Sequence, residues 1–347
     1  MGLHRIGEEG VELFCPREPR REDGAWRPVR FPPETEALLA ERIGPQANLA
    51  SPAGCALRCV TDAPWCELHL ASLRHHQPLP SALDAELIEA TGRRVVTGTE
   101  LQGRRGEIVE RFELAAPGAP AELRELWLWL PPISTCAVAG LGLPEGATLA
   151  PPPPAAVGWL AIGDSITQGF AARSYAETWV HRVMRACGRL CWNLGIAAVG
   201  VEPELFTPAL PPGRFELATV GLGANDAWRV SAADGLEERV DAVLALLCPA
   251  VRRCVWLLPP WKPCEAGLGP ERYAGVLLDR AAGERMGHLR ERLAAHLARF
   301  PDFVEVVGDL LPSDPDLQPD GVHPGAAGFA RMAERLAPQL CPSADPS

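Results

Sequence analysis

With 347 residues the chain exceeds one typical domain, and its 47% hydrophobic, 22% charged composition is that of a globular protein, not of a long disordered one. A formal net charge of −11 argues against nucleic acid and anionic membrane surfaces as partners, because both are held by basic patches. Lys262 is the only lysine, so a Schiff-base lysine could sit nowhere else, and the phosphate-cradling G-x-x-x-x-G-K-[ST] loop is absent.

Met1 to Gly10 carry no basic stretch followed by an apolar one, and no apolar run reaches bilayer length. The expected location is the cytoplasm, with export by another route left open. Thr35 to Ile43 reads as a short helix. Up to about residue 150, short apolar runs alternate with Gly, Pro, Ser and Asp turn signals. Cys66-Glu-Leu-His-Leu70 alternates with period two, as a half-buried strand does. Glu125-Leu-Trp-Leu-Trp-Leu130 is apolar on both faces, which predicts a strand buried on one side and covered on the other. No long amphipathic helix competes, so residues 1–150 are read as an accessory β-sandwich of jelly-roll type. His75 and His76 have no carboxylate or cysteine at ligand spacing and read as a polar loop, so no metal is expected. The 11 cysteines fall at no zinc spacing. Many lie in apolar stretches such as Cys254-Val-Trp256 and are expected to be free, buried thiols in a reducing compartment.

Four consecutive prolines, Pro151 to Pro154, favour extended backbone and make residues 151–156 a linker. Residues 157–340 then alternate strands with helices. Strands are predicted at Val157–Ile162, Leu190–Leu194, Leu217–Leu222, Cys254–Leu258 and Phe303–Val307. Ser174 and Glu177 form an S-x-x-E capping box before a helix marked by Trp179, Val183 and Cys187. Leu236, Val240, Val243, Leu244 and Leu247 line the next helix, another runs to about Phe300, and a last one starts near Ala326. This order predicts a parallel sheet with helices on both faces and a ligand at the C-terminal strand ends. Residues 341–347 are a frayed tail.

Three polar blocks follow successive strands: Gly163-Asp-Ser-Ile-Thr-Gln-Gly169, Asn193-Leu-Gly-Ile-Ala-Ala-Val-Gly200 and Gly221-Leu-Gly-Ala-Asn-Asp226. A fourth, Asp320-Gly-Val-His-Pro324, precedes the last helix. All four point at one edge of the sheet. This pattern resembles the SGNH hydrolases, the GDSL esterase/lipase superfamily, over roughly residues 157–340. The G-x-S-x-G elbow of the α/β-hydrolases is absent. The resemblance implies a flavodoxin-like three-layer α/β/α domain and a serine nucleophile that works without a cofactor. Ser165 is then the nucleophile, His323 the base that takes its proton and later serves the leaving group, and Asp320 the partner that fixes the imidazole. The resemblance also implies three oxyanion donors: the N–H of Ser165, the N–H of Ala198 and the amide of Asn225. The family usually has glycine where Ala198 stands; Gly195 is the fallback. The bland alternatives are a helix cap for Ser165, a turn cap for Asn225, and a simple turn at Asp320-Gly321 with His323 on the surface.

Asp164 and Asp226 are expected to brace loops. Asp164, Arg173, Gly195, Trp228 and Trp261 are the residues that could contact substrate. A sandwich followed by this domain resembles the layout of carbohydrate esterase family 2 acetylesterases. The expected function is hydrolysis of a short acyl ester, O-acetyl first, on a sugar, glycoside or secondary metabolite, through an acyl-Ser165 intermediate. The alternatives are an acyltransferase using the same residues and a carbohydrate-binding protein whose esterase site is inactive. The partner is a small-molecule ester, with the oligomeric state open.

Overall fold

The computed structural model describes residues 2–7, 10–43, 50–75, 78–228 and 234–341. The chain forms two compact units. The first comprises Met1–Phe31, Asn48–Ala155 and Arg173–Ala176; the second comprises Pro32–Ala47, Ala156–Ala172 and Glu177–Ser347.

The strands of the first unit are β1 (Gly2–His4), β2 (Glu12–Phe14), β3 (Arg17–Glu22), β4 (Ala25–Val29), β5 (Ala56–Thr61), β6 (Trp65–His75), β7 (Asp84–Glu89), β8 (Gly92–Thr97), β9 (Ile108–Glu113), β10 (Arg124–Trp129), β11 (Ser134–Leu143) and β12 (Leu149–Ala150). One antiparallel sheet runs β3-β4-β11-β6-β9 with β1 beside β11; the other runs β12-β5-β10-β7-β8 with β2 beside β5. Period-two patterning, with a register shift in β11 between Val138 and Gly140, sends Leu68 and Leu70 of β6 and Val138 and Leu141 of β11 into one core with Leu57 of β5 and Leu126 and Leu128 of β10. Burying each such leucine contributes about 1.5–3 kcal/mol. The opposite face of β10 is also covered, as its sequence predicts. Trp127 and Trp129 stack at 5.2 Å, Arg58 lies 4.9 Å over the Trp127 ring, and the Trp129 indole donates to Glu86 at 2.9 Å.

His75 is not in a loop. It ends β6, its ring nitrogens engaged by the Ser134 hydroxyl and the Leu101 carbonyl, both at 2.8 Å. A strand places alternate side chains within reach of its neighbours, so a polar residue there need not signal a loop. His76 lies outside the described residues.

The second unit begins with α1 (Pro33–Arg42), close to the helix expected from Thr35. It then holds β13 (Val157–Gly163), α2 (Ser165–Gln168), α3 (Trp179–Cys187), β14 (Leu190–Gly195), α4 (Pro203–Phe206), β15 (Phe215–Gly221), α5 (Ala224–Trp228), α6 (Leu236–Leu247) and β16 (Val251–Leu257). A small hairpin follows, β17 (Arg272–Tyr273) and β18 (Val276–Leu277), and then α7 (Arg280–Leu297), β19 (Val304–Val307) and α8 (Ala326–Leu340). The five long strands pair in parallel in the order β14-β13-β15-β16-β19, the flavodoxin-like order. Right-handed crossovers put α3 on one face, with α6 and α7 on the other. Contacts agree: α3 packs on α8, and Arg292 and His296 of α7 reach Glu237 and Asp241 of α6 at 2.7 and 2.6 Å. No helix among the described residues is long and apolar enough to cross a membrane.

Two further expectations need correction. Ser174 and Glu177 do not cap α3; Thr178 does, its hydroxyl accepting from His181 N–H at 3.2 Å. Ser174 lies in the short segment assigned to the first unit, where the next N–H but one, that of Ala176, donates to Asp84 at 2.9 Å. The capping pattern is therefore overridden by tertiary pairing. Nor are all cysteines free. Cys187 and Cys341 form a disulfide with a Cα–Cα distance of 4.7 Å. The packed helices α3 and α8 end side by side, which a reading of local spacing could not reveal. Cys55, Cys59, Cys66, Cys136, Cys191, Cys254 and Cys264 are buried free thiols. Residues 342–347 of the expected tail lie outside the described residues.

Candidate active site

Parallel pairing delivers the four polar blocks to one edge. β13, β14 and β15 end in register at Gly163, Gly195 and Gly221. The chain order reverses here, with β14 on one side of β13 and β15 on the other, which opens a crevice at the strand ends. Close approach forbids a side chain at Gly195: a Cβ there would stand 2.2 Å from the Gln168 nitrogen. The Ser165 loop and the second block are further stitched by Asn193, whose amide donates to the Thr167 carbonyl at 2.8 Å, and by Gln168, which accepts from Ala197 N–H at 2.7 Å.

Ser165 opens the four-residue helix α2, so its N–H has no intrahelical partner. Asp164 caps that helix by accepting from Ile166 N–H at 2.9 Å. The Ser165 hydroxyl lies 2.9 Å from His323 Nε2, and His323 Nδ1 lies 2.8 Å from Asp320 Oδ2. The second oxygen of Asp320 accepts from Val322 N–H at 2.8 Å and His323 N–H at 2.6 Å. Burial alone would raise the Asp320 carboxyl. The hydrogen bond and charge of His323, with the two backbone donors, outweigh burial and hold the carboxyl below its ordinary value. An ionised Asp320 fixes one tautomer, with Nδ1 carrying the proton and Nε2 ready to accept that of Ser165. The turn that brings Asp320 back to His323 passes through Gly321 at φ +78°.

Ala198 stands at φ +64°, the left-handed region that glycine enters without penalty. The fallback donor, Gly195 N–H, is taken by Asn193 Oδ1 at 2.9 Å. The Asn225 amide donates to the Val199 carbonyl at 2.9 Å; an amide nitrogen carries two hydrogens, so this bond leaves a second donor on the same atom. Asp226 accepts from Val201 N–H at 2.9 Å and from Arg239 at 3.0 Å. It thereby ties the third block to the second. Burial raises both Asp164 and Asp226 above the usual carboxylate range.

The residues named as substrate contacts are less united. Asp164 is 4% exposed and occupied as a cap. Arg173 belongs to the first unit, where its carbonyl accepts from Ala82 N–H at 2.7 Å. Trp228 ends α5, half-buried. Trp261 lines a surface cavity with Pro259, Arg290, Asp309 and Pro312, a cavity that none of Ser165, His323 and Asp320 lines.

Two aromatic rings at the imidazole escaped sequence reasoning. Phe170 lies 4.5 Å from the His323 ring, and Tyr273, on the β17–β18 hairpin, meets it edge-on at 5.2 Å. Phe170 immediately follows the first block, which was a usable signal. Tyr273 sits in a hairpin with strands too short to leave a pattern. Among the described residues no group of three or more His, Cys, Asp or Glu could hold a metal ion.

A search of curated protein sequences gives no match. Among solved structures, the salicylyl-acyltransferase SsfX3 from a tetracycline biosynthetic pathway matches with a TM-score of 0.71 at 22% identity, over 96% of this chain and 95% of its own. The acetyl xylan esterase Est2A from the rumen bacterium Butyrivibrio proteoclasticus matches with 0.60 at 13%, over 98% and 97%. A family two carbohydrate esterase from Clostridium thermocellum matches with 0.55 at 14%, over 84% and 92%. At these identities the likeness is one of fold. The model of the GDSL-like lipase/acylhydrolase family matches residues 161–331. That segment begins in β13 and ends in α8, so the second unit carries a GDSL-like lipase/acylhydrolase domain, in keeping with the SGNH pattern of its four polar blocks.

Proposed function

We propose that the protein is a serine esterase that removes a short acyl group, O-acetyl first, from a sugar, glycoside or secondary metabolite. The observation that carries this reading is the continuous chain from the Ser165 hydroxyl to His323 Nε2 at 2.9 Å and from His323 Nδ1 to Asp320 at 2.8 Å. His323 takes the Ser165 proton as the oxygen attacks the ester carbonyl. The oxyanion is met by the N–H of Ser165, the N–H of Ala198 and the remaining amide hydrogen of Asn225. His323 then returns the proton to the departing alcohol, leaving acyl-Ser165. Water, deprotonated by the same imidazole, releases the acid.

A serine-directed fluorophosphonate tests the assignment. Intact mass should show one added label on the wild-type chain and none on Ser165→Ala. A label that persists on Ser165→Ala defeats the role given to Ser165.

The likeness in fold to a salicylyl-acyltransferase over nearly the whole chain supports a second reading, in which another alcohol replaces water in the last step. The residues are common to both reactions, and what differs is water access to the acyl-enzyme. Turnover with competing alcohols separates the two: exclusive formation of free acid rejects transfer.

A further inference from the structure

The only lysine of the chain, Lys262, is fully buried. It follows β16 at the strand edge that carries Ser165. Its side chain leaves its own loop: Nζ donates to Gln318 Oε1 at 3.0 Å and to the Val322 carbonyl. Gln318 answers, its amide donating to the Trp261 carbonyl at 2.6 Å. Lys262 N–H is itself fixed by Glu265 at 2.7 Å, and Glu265 is held by Arg290 of α7 at 2.7 Å. A braced loop thus clasps residues 318–322, and the next residue is His323. Withdrawing an ammonium from water is costly, and an apolar side chain of the same length would fill the space without that cost.

We propose that Lys262 is a positioning residue for the catalytic loop: through the Val322 carbonyl and Gln318 its ammonium holds residues 318–323 so that His323 Nε2 stays within reach of the Ser165 hydroxyl. The inference rests on the reading of His323 as the general base.

The carboxylates facing Lys262 are Asp164 from the turn after β13, Asp320 from the catalytic loop and Glu265 from its own turn; the Cys264 thiol of that turn, pushed up by burial, stays neutral beside them. Burial pulls the ammonium down to about 8 against the pull of these groups. The protonated form makes the stronger, charge-assisted bonds. Raising the pH through 8 therefore weakens the clasp, and activity falls on that side.

The test uses full-length wild type, Lys262→Met and Gln318→Leu, with kcat/KM on p-nitrophenyl acetate and the fluorophosphonate labelling rate measured from pH 6.5 to 9.5. Wild type should lose rate as pH rises through about 8. Lys262→Met should be slower at pH 7 by about 10²-fold, mostly in kcat, the size of effect expected of a misplaced catalytic group, and its alkaline fall should be gone. A merely structural lysine would lower the rate and leave that fall where it is. Gln318→Leu keeps the lysine but removes an acceptor from the ammonium, so its alkaline midpoint should move to lower pH; it decides the matter if Lys262→Met does not fold. A Lys262→Met rate equal to wild type, an alkaline fall that survives in it, or a Gln318→Leu midpoint that stays put overturns the inference. If wild type is labelled at Ser165, such a result leaves the esterase reading standing; if wild type takes no label, both fall together.

Discussion

At Ala198 a β-carbon occupies a backbone conformation that costs an alanine about 1 kcal/mol relative to glycine. If the loop is there to aim a backbone N–H, the methyl is dispensable and the conformation is not. Ala198→Gly should therefore keep kcat within a few-fold of wild type and leave stability within about 1 kcal/mol. Asn225→Ala should cost about 10²–10³ in kcat, with a second contribution from the lost tether to the Val199 carbonyl. Steady-state kinetics and urea melts on the two variants check this, and a crippled Ala198→Gly would mean that the methyl itself shapes the pocket. As candidates, Ser165, Asn225, Asp320 and His323 are legible in the sequence because each lies in a short block that resembles the SGNH pattern. The clasp between Lys262 and Gln318 is not. Its partners stand 56 residues apart, and neither belongs to a periodic pattern.

At the level of helices, the bond between Cys187 and Cys341 joins the C-terminal ends of α3 and α8 across 154 residues of sequence. A crosslink closing so long a loop removes much conformational freedom from the unfolded chain, and typical values are about 2–4 kcal/mol. Guanidinium melts with and without reductant should differ by that amount, and Cys187→Ser should behave like the reduced protein and ignore reductant. Equal midpoints would show that the packing of α3 on α8 suffices alone. The strands of the sheet were legible from their apolar runs, and α6 from the spacing of Leu236, Val240, Val243 and Leu247, all of which are buried. The start of α3 was misread by four residues because the Ser-x-x-Glu pattern is local while Ala176 is bound elsewhere. The β17–β18 hairpin left no trace in hydropathy. Two residues per strand cannot display a period.

For the molecule as a whole, the two units are not two consecutive halves of the sequence. Composition marks the proline run as a change in texture, but α1 precedes it by more than a hundred residues and belongs with the sheet that follows. Leu39 of α1 is fully buried, and the Thr35 hydroxyl donates to the Leu205 carbonyl of α4 at 3.2 Å. Local patterning could find this helix and could not assign its partner. A chain begun at Ala156 should accordingly be less stable in its second unit by at least the burial of one leucine, about 1.5–3 kcal/mol, and should regain stability when a peptide spanning 33–42 is added. Thermal melts with and without that peptide decide it. The same feature bears on synthesis. Thr35 and Leu205 are separated by 170 residues, so at about 5–20 residues per second the ribosome exposes α1 for roughly ten to thirty seconds before its docking ground exists. During that interval Leu39, which the finished fold buries completely, stays without the surface it packs on.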